Sequence, residues 1–244
     1  MRRIDHVSLV LVSFATVIAA SCGATADMAV RADKSATLSL NIEVPAAVEA
    51  KVRQFAASGA ASGASRTAMF DAAAVASSVS ARSVAVRSST SPSARAYRGS
   101  FDVADLGSLL AADAELAAVL RYARGPGWAS LRFRADRDNA AALSRLFPGL
   151  DGDLLEALQP PAIYDNPVSR DEYRSMLAGL LGKAAASAID GLSFSLTVSF
   201  PGAVIETGGE AVVGSSGRSA SLSIPALDAM VLERPFEFYV KWTE

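Results

Sequence analysis

The sequence predicts an α+β fold in which helices pack on one face of an antiparallel sheet, and three observations predict it. Residues 36–44 alternate between apolar and polar side chains, as a half-buried strand does. Residues 173–188 carry apolar side chains at helical spacing. From residue 193 onward, short apolar segments alternate with glycine-rich turns, which is typical of a β-meander.

The first elements lie between residues 22 and 65. Residues 22–34 have no clear period and predict a short tether. The strand at 36–44 ends at Pro45, a residue that also suits the first turn of a helix. That helix is predicted to continue to Gly59, within a Gly/Ser/Ala stretch at 58–65 that predicts a flexible joint.

The middle of the chain mixes helices with a hairpin. A helix is predicted at 69–79 and a hairpin of two strands at 82–101, across the turn sequence "SPSA". Leucine and valine then recur at spacings of three and four from 106 to 120, which predicts a helix with a break near Asp113. The sequence "GPG" beginning at Gly125 stops this helix.

The segment after this helix is predicted to start with a strand at 128–134. Residues 136–158 predict two short helices divided by Pro-Gly. The prolines that bound "PPAIYDNPV" predict a rigid surface loop that carries Ile163 and Tyr164.

The strongest helix signal follows this loop. Ser169 and Glu172 have the spacing of a capping box, and Gly191 provides a stop. The predicted apolar face contains Tyr173, Met176, Leu177, Leu180, Leu181, Ala184 and Ala188. The segments predicted as C-terminal strands are "LSFSLTVSFPG", "AVIETGGEAVVG", "RSASLSIP" and "PFEFYVKW".

Residues 1–21 resemble the signal peptide of a bacterial lipoprotein. Arg2 and Arg3 form a positive start, and residues 7–20 are mostly apolar but too short for a spanning helix. Small residues precede Cys22, the single cysteine. The resemblance implies that Cys22 is acylated on sulfur and anchors the chain to a membrane. The alternative is an ordinary secretory signal cut within "ASCGATA", which would leave Cys22 free or remove it.

Composition removes several classes of chemistry. His6 is the only histidine and lies within the predicted signal peptide, so the mature chain is expected to have none. Catalysis by Ser-His-Asp or Cys-His, zinc binding and haem ligation would then lack their usual groups, and we expect no cofactor and no metal. The nearly balanced formal charge, −2, provides no basic footprint for nucleic acid.

Paired acids are the remaining candidates for catalysis. Each pair falls at a predicted helix start, where carboxylates cap free N–H groups and favour the helix dipole. The pairs are Asp136/Asp138, Asp151/Asp153 and Asp171/Glu172. We therefore interpret them as capping residues, predict no catalytic residue, and expect a protein that is not an enzyme.

The C-terminal sequence "LTVSFPGAVIETGGEAVVGSSGRSASLSI" resembles the end of the LppM-type domain of bacterial envelope lipoproteins. The strand "ATLSLNIEV" and the segments "FDAAAVASSV" and "YRGSFDVADLGSLL" agree with the same plan. The resemblance covers most of residues 35–244 and implies one α+β domain exposed at the periplasmic or outer surface of the envelope. It implies no catalytic residues, and it implies binding of amphiphiles as a role.

Two functional hypotheses follow. The first is a lipid-anchored module that binds a lipid, another amphiphile or the membrane surface, motivated by Cys22, the Ala/Leu-rich helices and apolar residues near turns such as Ile163, Tyr164, Met230 and Val231. The second is an envelope lipoprotein that positions protein partners of unknown identity. An apolar patch rimmed by Arg121, Arg124, Arg132 and Arg134 would suit such a partner, although these arginines would equally cover a solvated face.

Overall fold

Two sheets and a layer of helices form the protein in the computed structural model, which describes residues 23–58, 68–145, 158–164 and 166–244. The strands described are β1 (Ala24–Val30), β2 (Ala36–Glu43), β3 (Ala85–Ser93), β4 (Ala96–Val103), β5 (Leu120–Gly125), β6 (Trp128–Ala135), β7 (Ser193–Ser199), β8 (Val204–Gly209), β9 (Val212–Val213), β10 (Ser219–Pro225) and β11 (Phe236–Thr243). The helices described are α1 (Ala46–Ser58), α2 (Ala72–Ala81), α3 (Leu106–Ala112), α4 (Ala114–Val119), α5 (Ala140–Arg145), α6 (Arg170–Leu181), α7 (Lys183–Asp190) and α8 (Ala226–Val231).

The larger sheet has seven strands in the order β3-β4-β2-β1-β7-β10-β9. Its neighbours are antiparallel except for β1 and β7, which are parallel, with Ala24 opposite Phe194. The smaller sheet is antiparallel and has the order β5-β6-β11-β8. The predicted α+β class with a largely antiparallel sheet is thus confirmed, and the C-terminal strands are present but divide between the two sheets.

The alternation of side chains gives the larger sheet one apolar and one polar face. In β2, Ala36, Leu38 and Leu40 pack into the core, while Ser39 and Asn41 are exposed on the opposite face. The paired residues of β1, β4, β7 and β10 continue both patterns. Among the described residues, the elements that pack on the sheet therefore lie on its apolar face.

Two clusters of buried side chains fill this apolar side. In the first, the larger sheet packs against the smaller one, and Phe238, Val240 and Trp242 of β11 are fully buried. In the second, helices cover β2 and β4, with Tyr97 and Tyr173 among the buried side chains. The sheet thus supports a β-sandwich at one part of its apolar face and a helical layer at another.

The predicted tether is wrong over most of its length, because Ala24–Val30 form β1 between β2 and β7. Ala26 and Val30 are buried, whereas Thr25 and Asp27 face outward. Small side chains conceal this alternation in the sequence. Hydrogen bonding to strands on both sides stabilises the extended conformation without a strong local signal.

Two helix boundaries differ from those predicted. Leu120–Gly125 is strand β5 and does not extend the helix before it, although the predicted break at Asp113 is confirmed, since Asp113 caps α4 by accepting from the Leu116 N–H at 3.0 Å. The helix predicted through Gly191 is divided at Gly182, whose φ of 85° is the left-handed region that favours glycine. Gly191 ends α7 as predicted.

The proline-bounded loop is also more buried than predicted. Pro160, Pro161 and Ala162 are buried, and the Ala162 N–H donates to the Met230 carbonyl oxygen at 3.0 Å. This hydrogen bond holds the loop against α8. The second short helix predicted within 136–158 and the joint at 59–65 lie outside the described residues.

The Phe-Pro-Gly turn connects the two sheets between β7 and β8. A Cβ placed on Gly202 would lie 1.8 Å from the Thr243 carbonyl oxygen, so this position accepts only glycine without movement of β11. The Thr243 hydroxyl accepts a hydrogen bond from the Ala203 N–H at 3.0 Å. The turn therefore fixes the entry of β8 beside the end of β11.

Candidate functional site

Cys22, the predicted lipidation site, lies outside the described residues, and the description begins at Gly23. The Gly23 carbonyl oxygen accepts a hydrogen bond from the Glu43 N–H at 3.1 Å. A Cβ on Gly23 would lie 2.2 Å from the Ser193 carbonyl oxygen, so β2 and β7 already enclose the backbone at this position. The residue after Cys22 is thus part of the folded sheet.

An ion pair stands beside this end of the sheet. Arg95 Nη1 lies 2.9 Å from Glu43 Oε1 and donates to the Val44 carbonyl oxygen at 3.2 Å. Both charged side chains are more than a third exposed at their tips, so their pairing adds little stability. The ion pair places two charged groups at the surface close to Gly23.

Three arginines line a small open pocket on the smaller sheet. Arg121 of β5 lies opposite Arg132 of β6, and Arg134 follows two residues later on the same face of β6. Ala118 and Val119 at the end of α4 complete the lining of the pocket, whose volume is about 70 Å³. This is well below the ~300–1,000 Å³ typical of pockets that enclose drug-sized ligands, so an acyl chain would not fit inside.

The charges around this pocket are unequally paired. Arg132 Nη2 lies 2.8 Å from Glu237 Oε2, and Arg134 Nε lies 2.7 Å from Asp136 Oδ2. The hydrogen bond to Glu237 raises the pKa of the Arg132 guanidinium. Arg121 makes no ion pair with any acid in the described part of the chain. The pocket therefore carries one uncompensated positive charge.

The four arginines singled out in the sequence separate in the structure. Arg121, Arg132 and Arg134 meet at the pocket, whereas Arg124 donates from Nε to Glu244 Oε2 at 2.7 Å. The expected apolar patch inside their rim is reduced to Ala118 and Val119. The sequence predicts these arginines around one patch but places Arg121 on a helix, whereas in the structure Arg121 lies on strand β5, paired with β6. The alternation of "RYARGPGWASLRFR" around "GPG" is the hairpin signal that indicates this pairing.

Exposed apolar side chains lie on the edge strands β8 and β9. Ile205 is 54% exposed, Val212 is 65% exposed and Val213 is 42% exposed. β8 is an edge of the smaller sheet and β9 is an edge of the larger sheet. These residues form what we call the edge patch.

Helix α6 presents a second exposed apolar pair. Met176 and Leu180 are 47% and 45% exposed, although the sequence placed them on the buried face with Tyr173 and Leu177. The face that packs inward is the narrower stripe of Tyr173, Leu177 and Leu181. The sequence pattern predicts Met176 and Leu180 beside this stripe on the buried face, but in the structure only the stripe itself is buried.

The apolar residues expected near turns come together only in part. Val231 is buried, and Met230 is half-buried, with its sulfur 3.6 Å from the Tyr173 hydroxyl. Tyr164 is 50% exposed at the end of the proline loop, and Ile163 is half-buried. These residues belong to the helical layer and its border, and they line no pocket described above.

The acid pairs mainly have structural partners. Glu172 accepts from the Ser169 N–H at 2.8 Å and completes the predicted capping box, and these hydrogen bonds lower the pKa of the Glu172 carboxyl group. Asp136 accepts from the Asn139 N–H at 3.1 Å in the turn before α5, so it closes a turn and is not the helix cap that we predicted. Asp151 and Asp153 lie outside the described residues.

Comparisons with known proteins add one structural similarity. No protein-family model and no curated protein matches the chain. The NMR structure of the folded domain of the Mycobacterium tuberculosis LppM protein is similar, at 15% identity and a TM-score of 0.39, over 91% of this chain and 90% of that one. A similarity at this TM-score does not establish a shared family, so the LppM-type assignment stays a prediction. Within the described ranges, no helix is long and apolar enough to span a bilayer.

Proposed function

We propose that this protein is a lipid-anchored, non-enzymatic domain of a bacterial cell envelope that contacts lipid or other amphiphiles at a membrane surface. The anchor in this proposal is an acylated Cys22. The periplasmic or outer surface of the envelope is its location, because the signal-like residues 1–21 would direct export.

The start of β1 at Ala24, two residues after Cys22, is the observation that carries this proposal. Gly23 is already hydrogen-bonded to β2, so an acylated Cys22 would have no spacer between its chains and the domain. Two or more acyl chains anchor a protein stably, whereas a single chain is marginal. The side of the domain that carries Glu43 and Arg95 would then remain in contact with the bilayer surface.

The exposed apolar side chains support contact at a surface in preference to enclosure of a ligand. Ile205 and Val212 of the edge patch are more than half exposed. Exposed apolar groups of this size gain free energy when they enter the acyl boundary of a bilayer, by about 25 cal/mol per Å² of buried area. The arginine pocket has no room for an acyl chain, so it does not support a carrier that encloses lipid.

The anchor is tested by expressing the full chain in a bacterium that processes lipoproteins. We expect the wild-type protein to carry the mass of its acyl chains and to enter the detergent phase, and the Cys22→Ala variant to lose both properties. Ser21→Ala is the matched control, since it changes a neighbouring small residue and keeps the thiol. Wild-type and Cys22→Ala proteins that both lack the mass of acyl chains would overturn the lipid anchor.

A second candidate function is the positioning of protein partners, and strand β9 is the observation that favours it. β9 pairs with β10 through only two residues and has no partner on its other side in the described structure. Open edges of this kind bind extended peptides by adding a strand. Flotation of Cys22→Ala with phosphatidylcholine vesicles separates the candidates, because amphiphile contact predicts co-flotation and the scaffold alone does not.

A further inference from the structure

The pocket between β5, β6 and α4 has more positive charge than its own carboxylates compensate. Register places Arg121 directly opposite Arg132, and side chains opposite each other on one face have Cβ atoms about 4.5–5.5 Å apart. Like charges in such a pair destabilise a sheet. Glu237 and Asp136 each pair with one arginine of the three, which leaves Arg121 without an acid among the described residues.

One donor of the same arginine set lacks a partner. Arg132 Nε is buried and has no hydrogen-bond partner in the described structure. A buried donor without a partner costs about 1–3 kcal/mol. An anion in the pocket would offset the repulsion between the like charges of Arg121 and Arg132.

The number of guanidinium groups around the pocket favours a tetrahedral acceptor. Guanidinium groups present planar forks of N–H donors that match oxygen pairs of phosphate and carboxylate. Here the forks come from two strands and converge on one pocket of about 70 Å³. A carboxylate has two oxygens for three guanidinium groups, whereas a phosphate group has three or four.

We propose that Arg121, Arg132 and Arg134 form a binding site for a phosphate group. Arg121 provides the uncompensated charge, and Arg132 and Arg134 provide donors that Glu237 and Asp136 hold in place. The phosphate is either a free anion or part of a lipid headgroup, since both present the same oxygens at the mouth of an open pocket. This site does not depend on acylation of Cys22, so it stands or falls independently of the lipid anchor.

The test is a titration of the full-length Cys22→Ala protein with inorganic phosphate, at constant ionic strength held with sodium chloride. We expect saturable NMR shifts at the amides of Val119, Arg121, Arg132 and Arg134. Arg121→Gln should weaken binding about 10-fold or more, because it removes a charged hydrogen-bonding group. Arg98→Gln is the matched control, since Arg98 is an exposed arginine on another sheet and its loss should leave the affinity unchanged.

A second arm identifies the source of the phosphate group. Vesicles of phosphatidylglycerol and of phosphatidylcholine are floated with the Cys22→Ala protein and with the same protein carrying Arg121→Gln. Flotation that Arg121→Gln reduces supports a headgroup as the ligand, and a phosphate titration with no such dependence in flotation supports a free anion. The proposal is overturned if phosphate causes no saturable shift and Arg121→Gln leaves flotation unchanged, or if Arg98→Gln weakens binding as much as Arg121→Gln.

Discussion

At the scale of single residues, the buried hydroxyl groups of two tyrosines differ in whether they have partners. The Tyr173 hydroxyl donates to the Leu158 carbonyl oxygen at 2.7 Å, and both groups are buried. The Tyr122 hydroxyl is buried without a partner among the described residues, beside the indole ring of Trp242. The two buried hydroxyl groups therefore have different consequences for stability.

We expect Tyr173→Phe to lower the free energy of unfolding by about 1–3 kcal/mol, because it leaves the Leu158 carbonyl oxygen unsatisfied. Tyr122→Phe removes an unpaired hydroxyl and should be neutral or stabilising. Chemical denaturation monitored by the tryptophan signal measures both. A larger loss for Tyr122→Phe than for Tyr173→Phe would contradict this assignment of partners.

The stability difference between the wild type and Tyr173→Phe is expected to depend on pH. Burial raises the pKa of the Tyr173 hydroxyl above its ordinary value of about 10. The unfolded chain therefore loses this proton at a lower pH than the folded protein does. The contribution of Tyr173 to the free energy of unfolding is complete below about pH 10, and it is lost as the pH rises above 10, by about 1.4 kcal/mol per pH unit. Stability of the wild type should consequently fall more steeply above pH 10 than that of Tyr173→Phe.

Residue-level prediction from the sequence succeeded where the chemistry is local. Ser169 and Glu172 are three residues apart, and this spacing alone places the Glu172 carboxylate at the Ser169 N–H. The arginine pocket is different, since Arg121 and Arg132 meet through the pairing of β5 with β6, whereas the sequence predicts a helix at Arg121. The sequence predicts four arginines around one patch, but only three of them line the pocket, and Arg124 pairs with Glu244 instead.

At the scale of secondary structure elements, α6 depends on its N-terminal cap. The Ser169 hydroxyl and the Glu172 carboxylate satisfy N–H groups that a helix start otherwise leaves free. The buried stripe of α6 then packs Tyr173, Leu177 and Leu181 into the second cluster. The cap thus fixes where this stripe begins.

Ser169→Ala should lower the free energy of unfolding by about 1 kcal/mol, the usual cost of losing a serine cap. Ser175→Ala is the matched control within the same helix, because its hydroxyl only donates to the Asp171 carbonyl oxygen one turn earlier at 2.9 Å. It should change stability by about 0.5 kcal/mol or less. Thermal unfolding of the two variants compares them, and equal losses would contradict a specific capping role.

Elements with strong periodicity were predictable and those that depend on distant partners were not. β2 was found from its alternation, since Leu38 and Leu40 alternate with Ser39 and Asn41. Helix α6 and helix α7 were read as one element, because a glycine within an apolar helical pattern does not reveal that its φ is positive. The local sequence thus specifies the type of an element better than its end.

At the scale of the whole molecule, β1 joins the two parts of the larger sheet. It pairs with β2 over its full length on one side, and with β7 from Ala24 to Ala29 on the other. Without it, β2 and β7 would expose unpaired edges, and the β-sandwich would lose the support of β4 and β3. The segment that looked like a tether is therefore central to the fold.

Substitutions on the two faces of β1 distinguish a tether from a central strand of the sheet. Ala26→Lys places a charge in the first cluster, where Ala26 is only 5% exposed, and should abolish folding, since an unpaired buried charge costs a large part of the 5–15 kcal/mol typical of protein stability. Thr25→Lys is one residue earlier on the exposed face and should change stability by about 0.5 kcal/mol or less. Circular dichroism during thermal unfolding measures both, and a folded Ala26→Lys protein would restore the tether interpretation.

The parallel pairing of β1 with β7 also sets an order of events during folding. β2, β3 and β4 can pair with one another early, whereas Ala24 must wait for Phe194, which lies far along the chain. Contacts between residues this distant in sequence form slowly, because a long loop must close before they contribute. β1 is thus among the last of the described strands to find its place, and until then its neighbour β2 has an open edge that a neighbouring chain can occupy.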